Sequence, residues 1–159
     1  MSKILTISPD KCTGCRSCEL ICSFSKMQAF NPKSSRVSVL AFEDMAVSVP
    51  IMCMQCEEPS CMKVCPVSAI SKTPEGTVFI DGDKCIGCKM CVSACPLGNI
   101  SFSTVEGKIV KCDLCEGDPK CAKYCPSGAI QYKEATPSNL SRRKLIAEKF
   151  KELFGEVTQ

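Results

Sequence analysis

Sixteen of the 159 residues are cysteine, and they fall into four groups of four with none left over. The groups are Cys12/Cys15/Cys18/Cys22, Cys53/Cys56/Cys61/Cys65, Cys85/Cys88/Cys91/Cys95 and Cys112/Cys115/Cys121/Cys125. This pattern constrains the fold more than any hydropathy signal. The 45% hydrophobic content counts those cysteines, aromatics are 6%, and Trp is absent. A small domain buries a low fraction of its surface, so such a chain builds a thin core unaided. The thiols are therefore expected to hold inorganic matter that serves as core. Folding is then coupled to metal binding, and the metal-free chain should be largely unfolded.

Motifs one and three are spaced C-x2-C-x2-C-x3-C, and three of the four motifs end in Cys-Pro: Cys65-Pro66, Cys95-Pro96 and Cys125-Pro126. Motif three with its Pro is the run of bacterial ferredoxins, in which the fourth Cys ligates the other cluster of a pair. A cubane needs four thiolates at the corners of a tetrahedron. C-x2-C-x2-C wraps three corners in one tight turn, where Gly14 and Gly87 supply positive φ. The fourth thiolate starts a helical turn and reaches a neighbouring cluster, and the following Pro redirects the chain. Zinc accepts four Cys but needs no third Cys after x2. Disulfides do not suit a reducing compartment. Four [4Fe–4S] clusters that move electrons are the reading the spacing favours.

The formal charge of +3 belongs to the metal-free chain. Four clusters of about −2 each bring it to roughly −5, so nucleic-acid binding is not expected. The first residues hold no signal-peptide run, and no stretch approaches the roughly 18 apolar residues of a membrane span. Many thiols without a secretory signal point to the cytoplasm. With no His in the chain, no imidazole base is available, and there is neither a nucleophile constellation nor a phosphate loop. A non-catalytic chain is implied. Lys11, Lys84 and Lys111 each precede a first Cys, and Glu57, Glu58, Glu116 and Asp118 lie inside motifs two and four. Charge is one control on cluster potential, although solvated loops explain these residues as simply. Met45, Met52, Met54, Met62 and Met90 read as gap-fillers beside clusters.

Motifs one and three share the lead-in Asp-Lys-Cys-x-Gly-Cys, while two and four share a longer loop with Pro two residues before the third Cys, a duplicated two-motif unit. Short β-prone runs precede the motifs at Ile4–Ile7, Val47–Val49, Thr77–Ile80 and Lys108–Val110. The segments after each Cys-Pro drive into a second strand or turn, and each third-to-fourth Cys interval is about one helical turn. Thr73–Gly76 and Val105–Lys108 read as turns. Asn31–Asp44 is the longest cysteine-free link between motifs. From Ser138 to Phe154 the spacing predicts an amphipathic helix with Ile146, Phe150, Leu153, Phe154 and Val157 on one face. That face docks on this chain's own body or grips a neighbouring subunit.

The two-plus-two organisation resembles the four-cluster ferredoxin-like subunits of molybdenum and tungsten oxidoreductases, over residues 3 to about 135. The resemblance implies an α+β fold of two interlocked ferredoxin-like modules, with short strands and helices around four clusters. One module is 1–45 with 101–135, the other 46–100, and 136–159 is a helical tail. Carried over, one cluster takes Cys12, Cys15, Cys18 and Cys125, and the next Cys112, Cys115, Cys121 and Cys22. The third takes Cys53, Cys56, Cys61 and Cys95, and the fourth Cys85, Cys88, Cys91 and Cys65. Spacing alone leaves sequential pairing of motifs one with two open. The run Cys15–Phe24, then Phe30-Asn31-Pro32 and Ser35-Arg36-Val37, is similar to the small iron–sulfur subunit of bacterial tungsten aldehyde oxidoreductases. It is equally similar to the matching subunit of tungsten benzoyl-CoA reductases. A large tungsten or molybdenum pterin subunit is the implied partner, with a flavin subunit that meets NAD and room for further copies of this chain. Motif one departs from the ferredoxin pattern by having Ser23 in place of Pro. Alternatives are a free-standing polyferredoxin, a formate dehydrogenase or hydrogenase subunit, or a metal-bound adaptor that moves no electrons.

Overall fold

The computed structural model describes residues 3–136. The tail helix expected from Ser138 onward lies outside the described residues. Among the described residues, eight short strands form four antiparallel pairs, and four α-helices lie between them. The strands are β1 (Lys3–Ile7), β2 (Val37–Phe42), β3 (Val47–Met52), β4 (Ile70–Lys72), β5 (Val78–Ile80), β6 (Ile100–Ser103), β7 (Lys108–Lys111) and β8 (Ile130–Glu134). The helices are α1 (Ser17–Met27), α2 (Ser60–Lys63), α3 (Met90–Ala94) and α4 (Lys120–Lys123). Each contains the third cysteine of its motif, as the one-turn intervals predict.

Strand β1 pairs with β8, Lys3 opposite Glu134 and Ile7 opposite Ile130, so the two ends of the described chain are zipped together. The other pairs are hairpins. Strands β4 and β5 are joined through Gly76 (φ +91), and β6 and β7 through Gly107 (φ +66), at the two turns expected. Strand β2 was not foreseen. It lies in the Asn31–Asp44 link and pairs with β3, Val37 opposite Met52 and Val39 opposite Pro50. The Val39 N–H is satisfied by Glu19, whose Oε1 accepts it at 2.6 Å although Glu19 is only 4% exposed.

Two apolar cores result. The first gathers Leu5, Ile7, Val37, Val39, Met52 and Ile130 with Cys18, Cys53, Cys112 and Cys121. The second gathers Ile70, Val78, Ile100 and Ile109 with Cys91, and Cys61, Cys65, Cys85 and Cys95 pack against it. Cysteine supplies much of each core, the consequence of so few aromatics. The seam is not a clean cut at residue 100. Strand β3 lends Met52 to the first core, and β7 lends Ile109 to the second. Across the seam, Arg36 at the start of β2 meets Glu106 of the β6–β7 turn at 2.6 Å, with side chains 7% and 10% exposed.

Among the methionines, Met52 is buried as gap-filling requires, whereas Met45 and Met90 are each 51% exposed.

Candidate metal centre

Gly14 (φ +67) and Gly87 (φ +70) adopt the left-handed conformation between the first two cysteines of motifs one and three. Arg16 (φ 55) and Lys89 (φ 63) adopt it before the third. A β-carbon at these last two costs strain of about 1 kcal/mol or more each, which the packed loop must offset. In motifs two and four, Pro59 and Pro119 are buried and stand at the N-caps of α2 and α4.

The fourth cysteines show a shared device. After Cys65, Cys95 and Cys125 the following Pro allows a tight turn, closed by the N–H of Ser68, Gly98 or Gly128 on the Cys carbonyl at 3.2–3.3 Å. Those three residues have φ between 50 and 66. The turn brings to the sulfur an N–H one or two residues further on. Ala69 N–H donates to Cys65 Sγ at 3.3 Å, Asn99 N–H to Cys95 Sγ at 3.3 Å, and Ile130 N–H to Cys125 Sγ at 3.5 Å. Motif one lacks the Pro, so α1 runs on through Cys22 to Met27. Its donor comes from elsewhere: the Arg36 N–H reaches Cys22 Sγ at 3.3 Å. Ser23, fully buried, fixes that return by donating to the Leu20 carbonyl at 2.9 Å and accepting the Asn31 N–H at 3.2 Å.

The sulfurs gather across motifs. One small apolar cavity is lined by Cys22 with Cys112, Cys115 and Cys121, and another by Cys65 with Cys85, Cys88 and Cys91. Burial raises the Cys18 thiol to about 12, and Glu19 and the Cys12 and Cys125 thiolates beside it add to the rise. Cys15 is exposed, its thiol drawn down by the Ser17 hydroxyl and N–H. Burial likewise raises Cys61, whose neighbours include Cys53, Cys95 and the Lys111 ammonium, the last pulling it down. Cys56 is exposed at the edge of a broad cleft of about 1170 Å³ that shares Lys26, Arg36, Asp113 and Leu114 with one small cavity and Ile80 and Ile109 with the other. Among the described residues, three of the six cations that line the cleft are met by acids: Lys26 by Asp113 at 2.7 Å, and Arg36 and Lys108 by Glu106.

Cysteines of different motifs adjoin one another: Cys121 of motif four feels Cys18 of motif one, and Cys112 of motif four, whose thiol burial pushes up to about 12, feels Cys53 of motif two. Cys61 and Cys65 of motif two and Cys85, Cys91 and Cys95 of motif three lie at the second core. Among the described residues, no three His, Cys, Asp or Glu side chains converge tightly enough to hold a single metal ion. Sulfurs on tetrahedral zinc sit about 2.3 Å from one point. Thiolates on a cubane instead surround a volume, as do the four cysteines that line each of the two small cavities. The donor set, the enclosing apolar walls and the N–H groups aimed at sulfur all fit a [4Fe–4S] group.

Sequence reasoning left three features out. Lys111 is buried, whereas Lys11 and Lys84 are exposed. Gln55, with φ 48, links two loops through its side chain. Arg36 serves Cys22 from a distance of fourteen residues. Glu57, Glu58, Glu116 and Asp118 are exposed loop acids.

Fold and donor set together define a ferredoxin-like iron–sulfur protein. The profile of the 4Fe-4S dicluster domain matches residues 45–135, and that of a 4Fe-4S binding domain matches residues 9–25. The first spans more than half of the chain, which therefore belongs to the 4Fe-4S dicluster domain family. The polyferredoxin-like subunit of an aliphatic sulfonate oxidoreductase from Pyrococcus furiosus is 39% identical over 85 residues, 53% of this chain and 49% of that protein. One of the subunits of the selenate reductase from Mesobacillus selenatarsenatis is 39% identical over 91 residues, 54% of this chain and 31% of its own. The chain thus spans half or less of these curated relatives. A chain in the structure of the active site complex BamBC of benzoyl coenzyme A reductase with benzoyl-CoA is 26% identical. The match covers 99% of this chain and 97% of that one, at a TM-score of 0.50. Among the described residues, no helix is long and apolar enough to cross a membrane.

Proposed function

We propose that the chain is a non-catalytic electron-transfer subunit carrying four [4Fe–4S] clusters in a reducing cytoplasm. It relays electrons between a large tungsten or molybdenum pterin subunit, most simply an aldehyde oxidoreductase, and a flavin subunit or external acceptor. The ligand sets are Cys12, Cys15, Cys18 and Cys125; Cys112, Cys115, Cys121 and Cys22; Cys53, Cys56, Cys61 and Cys95; and Cys85, Cys88, Cys91 and Cys65. When bound, each cluster takes up and gives back one electron. The chain's own residues supply the cages, keep water out with the two apolar cores, and aim N–H groups at the fourth sulfur of each motif. The observation that carries the reading is the gathering of cysteines from different motifs around shared cavities, with a fourth sulfur in each motif that accepts a backbone N–H. Cys15, Cys56 and Cys88 are exposed, which puts three of the four ligand sets within reach of partners.

Anaerobic purification from the native host, followed by metal analysis, tests this. About sixteen irons per chain, with tungsten or molybdenum on a co-purifying large chain, is the expected result. Iron without either metal favours a free polyferredoxin, and zinc in place of iron overturns the reading. A second reading, a benzoyl-CoA reductase subunit, is favoured by the near full-length likeness to a chain of that complex. Dye-linked turnover of benzoyl-CoA against aldehydes by the purified complex separates the two.

A further inference from the structure

Two side chains bridge the seam between the cores. Gln55 lies between Cys53 and Cys56; its Nε2 donates to the Cys112 carbonyl at 2.8 Å and its Oε1 accepts the Val78 N–H at 2.9 Å. Lys111 Nζ donates to the same Cys112 carbonyl at 2.8 Å and to the Val78 carbonyl at 2.5 Å. The N–H and the carbonyl of Val78, and the Cys112 carbonyl, are thus all held by this pair. Lys111 is only 7% exposed, and among the described residues no carboxylate pairs with it.

A buried ammonium held only by carbonyls is costly unless negative charge lies close. Here the nearby negative charge is sulfur. Lys111 directly precedes Cys112 of motif four, and through the shared Cys112 carbonyl it stands beside Gln55, which lies between Cys53 and Cys56 of motif two. Lys11 and Lys84, at equivalent places in motifs one and three, are exposed, where solvent screens them. One cation therefore stands where two groups meet, and the other two have no counterpart among these lysines.

We propose that Lys111 is a tuning residue: fixed where the ligand set led by Cys112 meets the one led by Cys53, its ammonium raises the reduction potentials of those two clusters above those of the clusters led by Cys12 and Cys85. An entering electron adds one negative charge, and a nearby fixed cation in a low-dielectric seam stabilises that form. Those two clusters then become the resting place of electrons. The proposal rests on the four-cluster reading.

The test is a redox titration followed by electron paramagnetic resonance on the anaerobically purified complex, comparing wild type with Lys111→Met, Lys111→Arg and Gln55→Met. In Lys111→Met, two of the four reduction equilibria should weaken at least tenfold, 59 mV for a one-electron couple, while the other two move less than threefold. Lys111→Arg should stay within threefold of wild type throughout. Gln55→Met breaks the same bridge without removing charge, and should also stay within threefold. If Lys111→Met does not retain its iron, Lys111→Gln, which still donates to the carbonyls, carries the same comparison. Four equilibria that all move less than threefold, or all move alike, overturn the proposal, as does a Gln55→Met shift equal to that of Lys111→Met. Iron well below sixteen per chain in the wild type instead overturns the four-cluster reading.

Discussion

Arg36→Met should release the clusters far faster than any change of surface charge. Its guanidinium meets Glu106 at 2.6 Å with both side chains at 10% exposure or less, and it also donates to the Ser34 carbonyl. Removing one partner of a buried ion pair typically costs about 3–5 kcal/mol, because the other charge is left stranded. Glu106 keeps Lys108 at 3.6 Å, and that lysine is 60% exposed, so the lower end, about 3 kcal/mol, applies. Cluster loss is irreversible, so the readout is a rate. With roughly half of that energy lost at the transition state for opening, the rate rises about tenfold. The assay is anaerobic loss of visible cluster absorbance in urea, which leaves ionic strength alone. Arg36→Met with Glu106→Leu removes both charges, and apolar replacement of a buried pair is close to neutral, so the double variant should return to within about threefold of wild type. An Arg36→Met rate within twofold of wild type, or a double variant as fast as the single, refutes the reasoning.

Three further outcomes are expected. Gly14→Ala places a β-carbon 2.8 Å from Ser48 Oγ in a left-handed position, whereas Gly87→Ala meets open space; both carry a conformational cost of about 1–2 kcal/mol. Gly14→Ala should therefore lose iron faster, and adding Ser48→Ala should bring it level with Gly87→Ala; equal rates from the start refute the contact. Burial, aided by the Cys53 and Cys22 thiolates, pushes the Cys112 thiol up to about 12. It stays protonated through the neutral range until metal displaces the proton, so iron loading in competition with a chelator should strengthen between about pH 7 and about pH 9, and a flat profile counts against it. Cys65→Ser removes one wall of the cavity lined by Cys85, Cys88 and Cys91, and iron should fall by about a quarter; unchanged iron rules Cys65 out as a ligand.

What the sequence revealed was what local chemistry decides. Cys-Pro followed by Gly98 or Gly128 spells a turn, and the turn alone delivers the N–H to sulfur. The strands beside the motifs were legible because β-branched runs abut them, and Gly14 because a tight loop needs positive φ. Long-range choices were hidden. Strand β2 exists because β3 has a free edge and Glu19 meets the Val39 N–H from twenty residues away. Lys111 reads like Lys11 and Lys84 in sequence, and only the packing of β7 against β5 buries it. The donor for Cys22 was equally out of sight, since Ser23 signals a missing turn but not that Arg36 replaces it.

The pairing of β1 with β8 also dictates an order of manufacture. On the proposed ligand sets, the third cage is complete once Cys95 has been made, and so is the fourth. The first waits for Cys125 and the second for Cys121, while β1 has no partner until Ile130–Glu134 emerge. At ribosomal speeds of about 5–20 residues per second, the early thiols stand unmatched for on the order of 5–20 s. The earliest-made cysteines are thus the last to be enclosed, and the nascent chain needs iron and sulfide delivered at two separate moments. Stalled ribosomes bearing chains cut just beyond residue 100, with enough further length to clear the exit tunnel, should carry about half the full iron load; a load near zero would place all cluster insertion after release.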